Sequence, residues 1–126
     1  MGREIRRGDV YYVDLEPIKG SEQGGNRPAL VISNNIGNHY GPTVIIAIIT
    51  SQDKPSHMPT HVVIQSNCLS LPSTVVLEQI RTIDKCRIGE YIGCLSHFDM
   101  RHVDHALGVS IGLNEQSKRK LKASVS

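Results

Sequence analysis

The run Val44-Ile45-Ile46-Ala47-Ile48-Ile49 constrains this chain more than any other segment. It is far shorter than the roughly 20 apolar residues that a helix needs to cross a bilayer, and it has no polar face. It reads as a strand covered on both sides, and Ala29-Leu30-Val31-Ile32 repeats the pattern. Two such strands in one small domain imply a closed or strongly curled sheet. Candidate strands are Val10–Leu15, Ala29–Ser33, Thr43–Ile49, His61–Ile64, Val75–Ile80 and Tyr91–Leu95. Asn34–Asn38 and Asp53–Ser56 read as turn-rich connections. One helix is expected near the C-terminus. Ser96 followed three residues later by Asp99 approximates a capping box, and Met100, Val103, Leu107 and Ile111 recur near helical spacing until Gly112 and Asn114. The expected architecture is mostly β, a small antiparallel barrel with a packing helix.

The chain of 126 residues is of single-domain length, and with no Trp and one Phe its core must be aliphatic. Cys68, Cys86 and Cys94 show no Cys-x-x-Cys spacing and read as reduced, partly buried thiols. Met1-Gly2-Arg3-Glu4 has no apolar signal region, so a cytoplasmic location is expected. The net charge of +2 is unevenly placed. Residues 115–126 carry Lys118, Arg119, Lys120 and Lys122 against Glu115, which leaves residues 1–114 with 10 Lys/Arg against 11 Asp/Glu. The division expected is a domain over 1–114 and a basic, disordered tail over 115–126. Any nucleic-acid binding by the body must rest on a local groove and not on a global field.

Three polar clusters stand out against the aliphatic strands. Gly20-Ser21-Glu22-Gln23-Gly24-Gly25-Asn26-Arg27 is a glycine-rich loop that delivers one arginine at its exit, where Pro28 limits the backbone. A planar guanidinium held at a rim suits a phosphate. Thr50-Ser51-Gln52 ends the strongest buried strand in hydroxyls and an amide, as a scaffold does when it presents side chains to a ligand. In Glu78-Gln79-Ile80-Arg81, alternation puts Glu78 and Ile80 on one face and Gln79 and Arg81 on the other, where an amide and a cation can read a base edge and hold a phosphate. Pro59 prevents His57 and His61 from sharing a helical turn, and His102 and His105 lack an acidic partner, so no metal site is expected.

Taken in order, Arg7-Gly8-Asp9-Val10, Gly20-Ser21-Glu22-Gln23-Gly24-Gly25, Arg27-Pro28 and Leu77-Glu78-Gln79-Ile80-Arg81-Thr82-Ile83-Asp84 resemble the MazF/PemK family of bacterial toxin endoribonucleases. The resemblance implies an SH3-like, CcdB/MazF-like barrel over 1–114 that forms a homodimer. It implies metal-independent, sequence-specific cutting of single-stranded mRNA, with no cofactor, to leave a 2′,3′-cyclic phosphate and a 5′-hydroxyl. The catalytic set it implies is Arg27, Thr50 and Glu22. RNA contacts are expected from Lys19, Ser21, Gln23, Asn34, Ser51, Gln52, Lys54, Gln79 and Arg81. A cognate MazE-like antitoxin with a flexible, acidic segment is the implied protein partner. Some members carry histidine at the position of Ser21 and arginine at that of Val76, so here more of the chemistry falls to Arg27 and Thr50. Two other readings stay open: a noncatalytic toxin that binds a protein target such as DNA gyrase, and a simple RNA-binding barrel module.

Overall fold

The computed structural model describes residues 3–15, 25–51 and 57–113. The elements run β1 (Asp9–Asp14), β2 (Asn26–Val31), α1 (Asn35–Tyr40), β3 (Thr43–Ser51), β4 (His61–Val63), β5 (Ser73–Asp84), a 3-10 turn at Lys85–Arg87, β6 (Ile88–Cys94) and α2 (His97–Ser110). All six expected strands are present, in one antiparallel sheet of order β4-β5-β3-β2-β1-β6. The mostly β class with a C-terminal packing helix holds. Strand pairing leaves β4 and β6 at the two ends of the sheet and does not close it among the described residues. The tail at 115–126 lies outside the described residues.

Each face carries a core, as the apolar runs suggest, but Ile45 in the longest run is 38% exposed, so that strand is not covered along its whole length. Val10, Leu30, Ala47, Ile49, Val75 and Leu77 meet Val103 and Ala106 of α2 in one core. Tyr11, Val13, Ala29, Val31, Ile46 and Ile48 form a second core on the other face. Ile111 lies beyond the helix and is exposed, so the buried stripe of α2 is shorter than its sequence spacing suggests. Gly112, at a φ of +80°, closes the helix, with Leu113 N–H donating to the Gly108 carbonyl. Cys68 is half-buried, and burial raises its thiol pKa, whereas Cys86 and Cys94 are exposed and not the partly buried thiols expected.

One helix was not legible in the sequence. The asparagines that read as turn formers over 34–38 build α1, because their side chains satisfy its backbone. Asn34 Oδ1 accepts from Gly37 N–H at 2.7 Å, and buried Asn38 donates from Nδ2 to the Ser33 carbonyl at 2.9 Å.

The gap between β4 and β6 is bridged by the segment that follows β4. Asp99, only 1% exposed, accepts from Gln65 N–H at 3.1 Å and from Ser66 N–H at 2.8 Å. Ser96 caps α2 by accepting from Asp99 N–H at 3.1 Å, and its own N–H donates to Ser66 Oγ at 3.0 Å. The capping box is thus half formed, because the Asp99 carboxylate is spent on the crossing segment. That segment then lies so close to β6 that a Cβ on Gly93 would stand 2.6 Å from Cys68 Cβ.

Replacing Asp99 with Ala should destabilise the fold by about 3 kcal/mol, because several buried donors lose their acceptor at once. Asp99→Asn, which keeps one acceptor oxygen, should lose about half as much. Urea unfolding with an unchanged m-value checks this, and a loss below about 1 kcal/mol for Asp99→Ala would contradict it.

Candidate active site

Antiparallel pairing gathers several strand ends at one rim of the sheet. Arg27 enters β2 opposite Val13 of β1, and Thr50 near the end of β3 is opposite Thr74 of β5. The β2–β3 register ends with Ala29 opposite Ile48, and Arg27 and Thr50 each lie two residues further along their strands, at the same end of the pair. By alternation both lie on one face of the sheet. That face is the one carrying Ala29, Ile46 and Ile48.

Thr50 Oγ1 is buried and has no hydrogen-bond partner among the described residues. An orphan hydroxyl of this kind is costly in a folded chain. Arg27 itself is half-buried and engaged by a partner. Two more arginines converge nearby on the end of β1. Arg81 Nη1 donates to the Leu15 carbonyl at 3.5 Å and Arg87 Nη1 to the Asp14 carbonyl at 3.1 Å.

The segment Leu77-Glu78-Gln79 departs from simple alternation. Ala47 pairs with Ile80 and Ile48 with Val76, so three residues of β5 lie between consecutive pairs as a bulge. The bulge is held by Leu77 N–H donating to the Thr60 carbonyl at 2.8 Å and by Ser110 Oγ donating to the Leu77 carbonyl at 2.8 Å. Val75, Leu77 and Ile80 all reach the helix-side core, so Glu78 does not share a face with Ile80 as alternation suggested. The bulge turns Glu78 toward β4 instead. There it accepts from Thr60 Oγ1 at 2.6 Å and meets His61 Nε2 at 2.9 Å.

Partial burial works to raise the Glu78 carboxyl, but the hydrogen bonds from Thr60 and His61 outweigh it and hold the acid below the ordinary carboxylate value. A hydrogen-bonded imidazole and carboxylate form a unit able to take up and return a proton. The sequence reading passed over His61, since its only visible partner was His57. Its actual partner is 17 residues away and is reached through strand register.

The register therefore puts Arg27 and Thr50 at one end of the β2–β3 pair, with Ser51 opposite Ser73 at the same rim. Arg81 reaches the same side of the sheet from the middle of β5, and Gln79 lies within the bulge. Asn34 is elsewhere. It follows β2 at the end away from Arg27, and its side chain caps α1. Glu22, Lys19, Ser21, Gln23, Gln52 and Lys54 lie outside the described residues.

The model of the PemK-like, MazF-like toxin family of type II toxin–antitoxin systems matches residues 6–111. Among solved structures, the chain is similar to an endoribonuclease from a mycobacterial species in complex with its cognate antitoxin. That match has 28% identity and a TM-score of 0.74, and covers 86% of this chain and 96% of the other. It is also similar to MazF from Deinococcus radiodurans, at 26% identity and a TM-score of 0.76, with 88% and 99% covered.

The low Glu78 value has a sign that can be checked. The unfolded chain binds more protons than the folded one below pH 4.5, so the contribution of this cluster to stability is complete above that pH and is lost as pH falls through the folded value. An NMR titration should place the Glu78 midpoint below 4.5 and return it toward 4.5 in a Thr60→Val, His61→Phe variant. A wild-type midpoint at or above the ordinary value would contradict the arrangement.

Proposed function

Because the chain belongs to the PemK-like, MazF-like toxin family of type II toxin–antitoxin systems, we propose that it is an endoribonuclease toxin that cuts single-stranded mRNA at a short sequence without a metal ion. The observation that carries this reading is that Arg27 and the Thr50 hydroxyl, which has no partner among the described residues, lie at one rim of the sheet. A planar cation and a hydroxyl donor at one rim suit a phosphate.

RNA supplies its own nucleophile, so the protein needs only proton transfers and charge stabilisation. The 2′-hydroxyl oxygen bonds to phosphorus as its proton passes to a base, the bond from phosphorus to the 5′ oxygen breaks, and that oxygen takes up a proton. The products are a 2′,3′-cyclic phosphate and a 5′-hydroxyl. Arg27 neutralises the charge that builds on the phosphorane, and the Thr50 hydroxyl donates to a non-bridging oxygen. The His61–Glu78 pair is assigned the proton transfers, with Glu22 retained as the alternative base. Ser51, Gln79 and Arg81 are assigned to RNA contact with Lys19, Ser21, Gln23, Gln52 and Lys54.

Residues 1–114 act as the nuclease domain, with 115–126 as a basic tail, and two copies form the active dimer. No helix among the described residues is long and apolar enough to cross a membrane, which accords with a site of action in the cytoplasm, where mRNA is found. The antitoxin-bound state of the mycobacterial relative supports a cognate antitoxin here, whose flexible acidic segment covers the RNA groove.

Incubating the pure protein with a long RNA in excess EDTA should yield discrete cuts with cyclic-phosphate ends. Uncut RNA, or cutting restored only by a divalent ion, would overturn the proposal. Arg27→Ala should lower the cleavage rate by roughly 10²–10³ while RNA affinity changes much less. Arg27→Lys keeps the charge but loses the fork, and it should be impaired nearly as badly. A Lys variant that cuts at the normal rate would reduce Arg27 to an electrostatic contact. His61→Ala or Glu78→Gln should flatten one limb of the pH–rate profile, and an unchanged profile in both would return the base to Glu22.

A further inference from the structure

Among the described residues, the densest cluster of positive charge lies away from this rim, at the start of β1. A cleft of about 610 Å³ is lined there by Arg3, Arg6, Arg7 and Arg101, with Asp9 and Asp104 as the carboxylates. Four of the ten Lys/Arg residues in 1–114 thus converge on one place in a body whose net charge is −1. The two carboxylates leave the four arginines of the cleft two positive charges in excess. Asp9 is 4% exposed and accepts from Arg6 N–H at 2.9 Å and from the Tyr11 hydroxyl at 3.3 Å. Burial, aided by the Asp9 carboxylate, pushes the Tyr11 hydroxyl up to about 12, so it stays a neutral donor. Asp104 is taken by Arg7 at 2.6 Å, and Arg7 is fixed further through Nε to the Ile32 carbonyl at 2.9 Å.

Arg3, Arg6 and Arg101 remain to face a ligand. Arg6 approaches Glu4 only at 3.9 Å between two exposed chains, and neither Arg3 nor Arg101 forms an ion pair with a described residue. The Arg3 guanidinium lies 3.6 Å above the centre of the Tyr91 ring, which packs edge-on against Tyr11. A stacked guanidinium and aromatic ring beside the exposed Arg6 and Arg101 suits a polymer with both flat bases and phosphates; an acidic peptide would use only the charge.

We propose that this cleft is a second RNA-binding site that holds phosphates of the single strand outside the scissile step. The inference rests on the nuclease reading above and names a further part of its substrate. Val13, the partner of Arg27, and Asp9, in the cleft wall, stand at opposite ends of β1. Four residues of strand span about 14 Å. A strand touching both places must therefore extend beyond the cut by roughly four nucleotides at the ~3.4 Å spacing of a stacked chain.

The test uses the full chain, 2′-O-methylated RNA that cannot be cut, and fluorescence anisotropy across a salt series. One strand is long enough to reach both ends of β1, and a second is too short to do so. An Arg3→Gln, Arg101→Gln variant should bind the long strand about tenfold more weakly at low salt. Its slope of log affinity against log salt should fall by about 1.4, the value for two single-strand phosphate contacts. Binding of the short strand should be unchanged. The corresponding Lys pair, which keeps both charges, should keep the slope.

Unchanged affinity and slope for the long strand would overturn the proposal, as would equal loss for both strands. A drop in mass by light scattering in the Gln variant would reassign the cleft to contact between copies. Stronger competition from polyglutamate than from RNA would reassign it to an acidic protein. Because the readout is binding, a chain that shows the slope change but leaves RNA uncut sinks the nuclease reading alone. One that cuts RNA through Arg27 without the slope change sinks the cleft alone.

Discussion

The Asp99 carboxylate is the contact on which the shape of the molecule turns. A six-stranded antiparallel sheet with two buried faces needs its ends brought near each other, yet β4 and β6 share no hydrogen bonds. Asp99 supplies the missing connection by accepting the backbone N–H groups of Gln65 and Ser66 while its own N–H caps α2 through Ser96. A single buried acid therefore ties helix, crossing segment and sheet edge together. Val103 and Ala106 then meet the helix-side core, and Cys68 comes against Gly93.

A sheet held in this way can leave polar groups imperfectly satisfied at its rim. The aliphatic strands are rigid, and the Thr50 hydroxyl, which has no partner among the described residues, stands at the same end of the β2–β3 pair as Arg27. The bulge in β5 works in the same sense. Its freed backbone groups are taken up by Thr60 and Ser110, which leaves Glu78 free to turn toward His61. Departures from regular pairing thus fall where the side chains of the proposed site are placed.

Charge follows the same division between a neutral body and local concentrations. With a net charge of −1 over residues 1–114, long-range attraction to a polyanion is weak, and binding depends on where the arginines converge. Arg27, Arg81 and Arg87 gather around the end of β1, and Arg3, Arg6 and Arg101 around its start. The strand acts as a spacer between two cationic places, so the molecule favours a ligand with some length.

The apolar runs at Ala29–Ile32 and Val44–Ile49 determined by themselves that the chain makes a sheet with a core on each face, because such strands carry apolar side chains on both sides, although Ile45 is left 38% exposed. Arg27 and Thr50 stand near the ends of those runs, which is why residue order singles them out as candidates. Residue order could not reveal what depends on register or on distant partners. His61 meets Glu78 only because a bulge lies between two pairing registers, and Asp99 leaves its capping box because Gln65 and Ser66 arrive from the far end of the sheet. Asn34, which read as a ligand contact, serves as a helix cap because its side chain meets the Gly37 N–H before it meets anything else. The cleft of Arg3, Arg6 and Arg101 is the clearest case, since its members come from opposite ends of the chain and only the tertiary fold gives them a common surface.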